Sequence, residues 1–212
     1  MNILIWSVIR KLRLGAFLLF VHRKSALKEL GWFVSFNRRQ SVDKLGKPIP
    51  WWTYGFNAFL EPRLNNSLRV LEFGCGGSTI WLGARVGEVV SIENHVQWAN
   101  QIKAKSSGNV IIRLVERITD FDSYIKSVHG VFQVVVVDCL GDRIECAKQS
   151  LALLADDGVV IWDNTDGPDW NTINGMMQSH GFREISFTGM TPQEVALGRT
   201  TVFYRSQNCL GI

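Results

Sequence analysis

Four groups of residues in this 212-residue chain have the types and spacing that could do chemistry. The first is Glu72-Phe73-Gly74-Cys75-Gly76-Gly77-Ser78-Thr79, a glycine-rich run directly behind an apolar stretch at 68–73. Glycines there let the backbone turn sharply and approach a ligand with no Cβ in the way. A helix starting behind them offers free N–H groups to an anionic group. The second is Glu93, nineteen residues after Gly74 and followed by Asn94. An acid at that distance from a glycine loop is placed to grip ribose hydroxyls. The third is Asp138 with Arg143, behind the β-branched run at 132–138, and the fourth is Asp163-Asn164, behind the apolar run at 158–163. Two carboxylates and an amide are oxygen donors of the kind a hard divalent cation takes. Either acid can equally serve as a general base, with Arg143 binding an anionic group of a substrate. A purely structural reading, with Asp163-Asn164 as a turn and Asp138 as a helix cap, also stands.

All four groups sit at the ends of predicted strands. The periodicity predicts a helix over 52–64, a strand over 68–73, a helix over 78–86 opened by a Ser-Thr cap signal, and a strand over 88–93. A helix follows at 96–104, a strand at 110–116, a short helix at 121–128 and a strand at 132–138. Then come a helix at 143–154, a strand at 158–163 after an Asp-Asp-Gly turn, a helix at 170–180, and two late strands at 182–188 and 200–205. This alternation predicts an α/β fold: a mostly parallel seven-stranded sheet, helices on both faces, and an antiparallel edge from the last two strands. Ligands in such sheets bind beyond the carboxyl ends of the strands, where the four groups lie.

The composition, 46% apolar and 20% charged, is that of a globular domain and excludes a disordered or collagen-like chain. Ten of the 23 basic residues but two of the 19 acidic ones fall within residues 1–50, so the body is mildly acidic. A nucleic-acid binder would spread basic residues over its body, so no nucleic-acid partner is expected. Cys75, Cys139, Cys146 and Cys209 show no zinc-site spacing and read as reduced thiols of a cytoplasmic protein. Cys75 reads as a small loop residue, not a nucleophile.

The apolar runs at 1–9 and 14–21 are each shorter than the ~18–20 residues that span a bilayer, and the charge order is wrong for a signal peptide. Residues 1–22 read either as a helix packed on the domain or on a second copy, giving a homodimer, or as an interfacial helix. In the second case Trp6, Phe17 and Phe20 would enter the headgroup region of the inner membrane face. Residues 25–50 read as irregular, which divides the chain into a basic N-terminal extension (1–50) and a main domain (51–212).

The run E-x-G-x-G-G-S at 72–78 resembles motif I of the class I S-adenosylmethionine-dependent methyltransferases. A dinucleotide fingerprint would need a third glycine where Thr79 stands, which counts against a nicotinamide-dinucleotide oxidoreductase. PIPWWTY at 48–54, LEFGCGGST at 71–79, VDCLGDR at 137–143, IWDNTD at 161–166 and NCLGI at 208–212 together resemble a group of small bacterial methyltransferases associated with surface-glycan gene clusters. The resemblance implies a Rossmann-like fold and transfer of a methyl group to an oxygen of a sugar or other small hydroxylated acceptor. It places the cofactor at Glu72, Gly74, Cys75, Gly76, Ser78, Glu93, Asn94 and Asp138. Asp138, Asp163 and Asn164 also match the three Mg²⁺-binding positions of the catechol-type O-methyltransferases. The lysine base of those enzymes has no counterpart, because Gly141 stands there. Two readings follow: a Mg²⁺ ion on those three residues, or metal-free catalysis by Asp138, Asp163 and Arg143. A non-catalytic cofactor-binding module is the remaining alternative. Trp51, Trp52 and Tyr54 read as an aromatic wall or as packing, Asp120 or Asp122 as an adenine contact, and His95 as a pocket residue or helix start.

Overall fold

A computed structural model of the chain describes residues 24–116 and 130–212, with positions 7, 9, 11, 15, 20 and 22. The strands are β1 (Arg69–Phe73), β2 (Glu88–Glu93), β3 (Val110–Leu114), β4 (Phe132–Val137), β5 (Leu154–Trp162), β6 (Arg183–Met190) and β7 (Leu197–Tyr204). They form one sheet in the order β3-β2-β1-β4-β5-β7-β6. The first five pair in parallel, whereas β7 runs antiparallel to both β5 and β6. The expected architecture is therefore the observed one. Strand order reverses between β1 and β4, so the crevice above their carboxyl ends is the switch point of the sheet.

The β-branched run of β4 explains its central place. Val134 and Val136 face one side and Val135 and Val137 the other, and all four are fully buried. On one side they meet Phe56 and Leu60 of α3 (Tyr54–Leu60) and Trp81 and Leu82 of α4 (Gly77–Gly83). On the other they meet Ala147 of α6 (Arg143–Ser150) and Ile173 and Met177 of α7 (Trp170–Ser179). Between these, α5 (Val96–Lys103) seats Ala99 and Ile102 against Cys75. Truncating a residue such as Ile161, buried between sheet and helices, to Ala would cost roughly 2–5 kcal/mol.

Several element ends differ from the sequence reading. The helix expected over 52–64 starts at Tyr54, where Thr53 caps it, and gives way at Glu61–Arg63 to a 3₁₀ turn containing Pro62. The helix expected at 78 starts at Gly77: Thr79 sits one turn in, its hydroxyl accepting the Gly76 N–H at 2.8 Å. β5 begins at Leu154, before the expected Asp-Asp-Gly turn. Asp156 and Asp157 project to solvent, and the register with β4 shifts between Phe132 and Val134, so they form an irregularity within the strand.

Residues 25–50 are more ordered than their composition predicts. They include α1 (Ala26–Glu29) and α2 (Trp32–Arg38), joined through Gly31 at φ +79°. A Cβ on Gly31 would lie 2.4 Å from the Asp43 backbone, so the turn requires glycine there. Trp32 Nε1 donates to the Glu194 carbonyl at 2.8 Å, fastening this segment to the β6–β7 connection. The short helix expected at 121–128, with Asp120, Asp122 and His129, lies outside the described residues, as does most of the N-terminal stretch 1–22. Among the described residues no helix is long and apolar enough to cross a membrane.

Candidate active site

β1 and β4 run side by side with Phe73 opposite Val137, so Gly74 and Asp138 leave the sheet as neighbours. Gly74 has φ +87°, and a Cβ on it would lie 2.5 Å from the Asp138 carbonyl oxygen. A Cβ on Gly77 would lie 2.5 Å from the Ile49 carbonyl oxygen. The glycines are thus required where the loop passes between β4 and residues 41–49.

Two carboxyls hold this loop. Glu93 accepts the Cys75 N–H on Oε2 at 3.1 Å and the Asn94 and His95 N–H groups on Oε1 at 2.8 Å each. Glu72 lies beneath the loop, fully buried, and accepts from the Thr79 hydroxyl at 2.5 Å and the Ser91 hydroxyl at 2.9 Å. Burial pushes the Glu72 carboxyl up to about 7, against the pull of those hydroxyls. Thr79, at the third-glycine position of a dinucleotide fingerprint, is itself buried and spent on Glu72. Burial raises the Cys75 thiol, and the nearby Glu93 carboxylate adds to it.

The facing wall comes from β4, β5 and β7. Asp138 Oδ2 accepts from Nε1 of the fully buried Trp52 at 3.1 Å. Asp163 Oδ1 accepts from the Thr200 hydroxyl at 2.5 Å, and that oxygen accepts the Thr53 N–H at 3.1 Å. Burial, then the Asp138 charge, pushes Asp163 up to about 8; burial also raises Asp138, while Arg143 pulls it back. Arg143, in the first turn of α6, spans both strand ends. Its Nε donates to the Cys139 carbonyl at 2.6 Å and its Nη1 to the Asp163 carbonyl at 2.9 Å. Nη1 and Nη2 both donate to Asn164 Oδ1 at 3.2 Å, and Nη2 lies 3.7 Å from Asp138 Oδ1. Asn164 has φ +57°, a left-handed conformation that asparagine tolerates.

Between these walls lies a cleft of about 710 Å³. Of the residues singled out by sequence, Gly74, Cys75, Gly76, Ser78, Asp138, Arg143, Asp163 and Asn164 line it. Glu72, Glu93 and Asn94 do not: the two acids bond to the loop and the helix behind it, and Asn94 is exposed. His95 starts α5, its Nδ1 accepting the Trp98 N–H. Trp51 lines the cleft and is 45% exposed, whereas Trp52 is core. Sequence reasoning missed Trp98, whose Nε1 donates to the Cys75 carbonyl at 2.6 Å, and Thr200. It also missed the lining residues at 39–42, 193, 194 and 196–198. Only the Thr-Thr pair at 200–201, polar residues inside a strand pattern, hinted at Thr200.

The residues fit a nucleoside cofactor. Gly74, Cys75, Gly76 and Ser78 line the cleft, with Glu93 fixing the course of the loop. They do not fit Mg²⁺. Asn164 Oδ1 is taken twice by Arg143, Asp163 Oδ1 accepts from the Thr200 hydroxyl, and a guanidinium already stands 3.7 Å from Asp138. A divalent ion needs deprotonated oxygens free to point at it. Among the described residues no group of three or more His, Cys, Asp or Glu could hold a metal ion.

No protein-family model matches the sequence, and no curated protein does. Solved structures do match. The O-methyltransferase TomG of Streptomyces achromogenes, involved in tomaymycin synthesis and solved with S-adenosylmethionine, superposes with TM-score 0.60 at 18% identity, over 90% of this chain and 95% of that one. The chain has the fold of these methyltransferases. A Bacillus cereus O-methyltransferase bound to S-adenosylhomocysteine gives TM-score 0.60 at 13% identity, over 91% and 97%. An rRNA methylase from Streptococcus thermophilus gives 0.52 at 14%, over 70% and 93%. The two O-methyltransferases share more of this chain than the rRNA enzyme does.

Proposed function

We propose that this protein is an S-adenosylmethionine-dependent methyltransferase acting on a hydroxyl of a small acceptor, of which a sugar or glycan is the class we favour. The observation that carries the reading is the pairing at one switch point: a glycine loop tied down by Glu93 faces Asp138 across a single cleft. Gly74, Cys75, Gly76 and Ser78 would hold the cofactor, with Glu93 fixing the course of the loop. When bound, S-adenosylmethionine supplies an electrophilic methyl carbon on a sulfonium.

The chain's own residues then handle the acceptor. Asp138 takes the hydroxyl proton on Oδ1, because Oδ2 is occupied by Trp52. Burial raises both carboxyls, and Asp138 is the one with a guanidinium beside it, Arg143 Nη2 at 3.7 Å, which favours its anion. Residues 39–42, with 193, 194 and 196–198, complete the lining of the cleft. Exposed Trp51 offers a ring face of the kind that stacks on a sugar. A sugar acceptor is also what the resemblance of the sequence to glycan-associated methyltransferases supports.

The test is incubation with methyl-labelled S-adenosylmethionine and separate pools of glycans, small hydroxylated molecules and RNA. Label in the first or second pool, with matching S-adenosylhomocysteine, is the expected result. Cofactor binding with no transfer to any pool would leave a non-catalytic module, and binding of NADH instead would leave an oxidoreductase.

A further inference from the structure

We propose that Arg143 stands in for a divalent metal ion in this cleft, and that its guanidinium and Asp138 together form the seat of the acceptor hydroxyl. The inference rests on the methyltransferase reading and says how that reaction is organised.

A guanidinium has five N–H groups in a fixed plane. Four are accounted for: one to the Cys139 carbonyl, one to the Asp163 carbonyl and two to Asn164 Oδ1. These bonds fix the plane of the group across the ends of β4 and β5, with the remaining N–H on Nη2. That nitrogen is 3.7 Å from Asp138 Oδ1, an ion pair too long for a hydrogen bond. An oxygen about 2.8 Å from each atom can bridge that gap. A hydroxyl oxygen there accepts from Nη2 and donates to Oδ1. As its O–H bond breaks, the proton passes to Asp138 Oδ1, the oxygen keeps the bonding pair, and the fixed positive charge stabilises the developing anion. Lowering a hydroxyl's pKa and orienting it are the two services a metal would give. Here a side chain bonded to the same Asn164 and Asp163 segment supplies both. Asp138 is itself held by Trp52, so both halves of the seat are preorganised.

The exchange of cations is testable without an acceptor. Mn²⁺ binding is followed by electron paramagnetic resonance on the full chain, as wild type, Arg143→Ala and Arg143→Ala/Asp138→Asn, each saturated with S-adenosylhomocysteine. The expected result is no specific Mn²⁺ binding by wild type at millimolar Mn²⁺. Arg143→Ala gains one bound ion per chain, and the double variant loses it again. Stoichiometric Mn²⁺ binding by wild type would overturn the proposal. So would an Arg143→Ala protein that melts cooperatively yet binds no Mn²⁺, since the arginine would then not occupy a metal's place. Failure of wild type to bind S-adenosylhomocysteine would instead strike the methyltransferase reading, and the Mn²⁺ comparison would still be read on the unliganded chains.

Discussion

Trp52 Nε1 donates to Asp138 Oδ2 at 3.1 Å across 86 residues of sequence, so a fully buried indole orients a carboxylate that lines the cleft. The indole is packed with Phe56, which leaves it no other course. The residue that would accept the acceptor's proton is thus aimed by the core itself. Trp52→Phe keeps an aromatic ring and removes only the donor and some volume. It should lower methyl transfer roughly ten-fold or more while leaving S-adenosylhomocysteine affinity within a factor of about three. Stability should fall by about 1–2 kcal/mol. Labelled-methyl transfer and calorimetric titration of the same preparation check both halves.

Gly74 and the Asp138 carbonyl are so close that Gly74→Ala must push β1 and β4 apart or twist a residue held at φ +87°. A loss of roughly 1–3 kcal/mol is expected. That corresponds to a melting temperature lower by about 2–4 °C per kcal/mol for a chain of this size. Scanning calorimetry reads it directly, and an unchanged melting temperature would mean the loop is not packed as described.

Glu72 gives a pH signature. Its carboxyl is raised in the folded state from 4.5 to about 7, chiefly by burial, so the fold binds a proton that the unfolded chain releases. The stability this contributes is complete below about pH 4.5 and is lost as pH rises through about 7. Wild type should lose up to a few kcal/mol from this group between about pH 5 and about pH 8. Glu72→Gln, which cannot titrate, should show a flatter profile, and parallel melting curves across that range decide it.

Thr200 joins two elements through one oxygen, donating to Asp163 and accepting from the Thr53 N–H at the start of α3. Thr200→Val leaves that buried N–H without its acceptor and Asp163 without its donor. A destabilisation of about 1–3 kcal/mol is expected in chemical denaturation, with Thr200→Ser recovering most of it.

The fold was legible because periodicity carries it. The β-branched run before Asp138 suits a doubly buried strand, and the glycine-rich run behind the strand now numbered β1 suits a sharp turn at its end. The site was half legible. Residues directly after strands were placed in the cleft by topology, so Gly74, Gly76, Asp138, Asp163 and Asn164 could be named from sequence. The direction of a side chain could not. Glu72 and Glu93 read as cofactor contacts, but both turn their carboxyls to the loop backbone and neighbouring hydroxyls. Arg143 read as an anchor for an anionic group of the substrate in metal-free catalysis. Its position among Cys139, Asp163 and Asn164 depends on β4 and β5 meeting with Val137 beside Trp162, which no local pattern encodes. The lining residues at 39–42, 193, 194 and 196 escaped because irregular segments have no period to read.

The central claim is that the glycine loop held by Glu93 is a cofactor cradle. Titration calorimetry with S-adenosylhomocysteine on wild type and Glu93→Gln tests it most directly. We predict one site with a Kd of the order of micromolar for wild type, weakened roughly ten-fold or more in Glu93→Gln, which loses charge-assisted bonds to the loop while keeping the fold. Absence of binding by wild type, or equal binding by both proteins, would contradict the account.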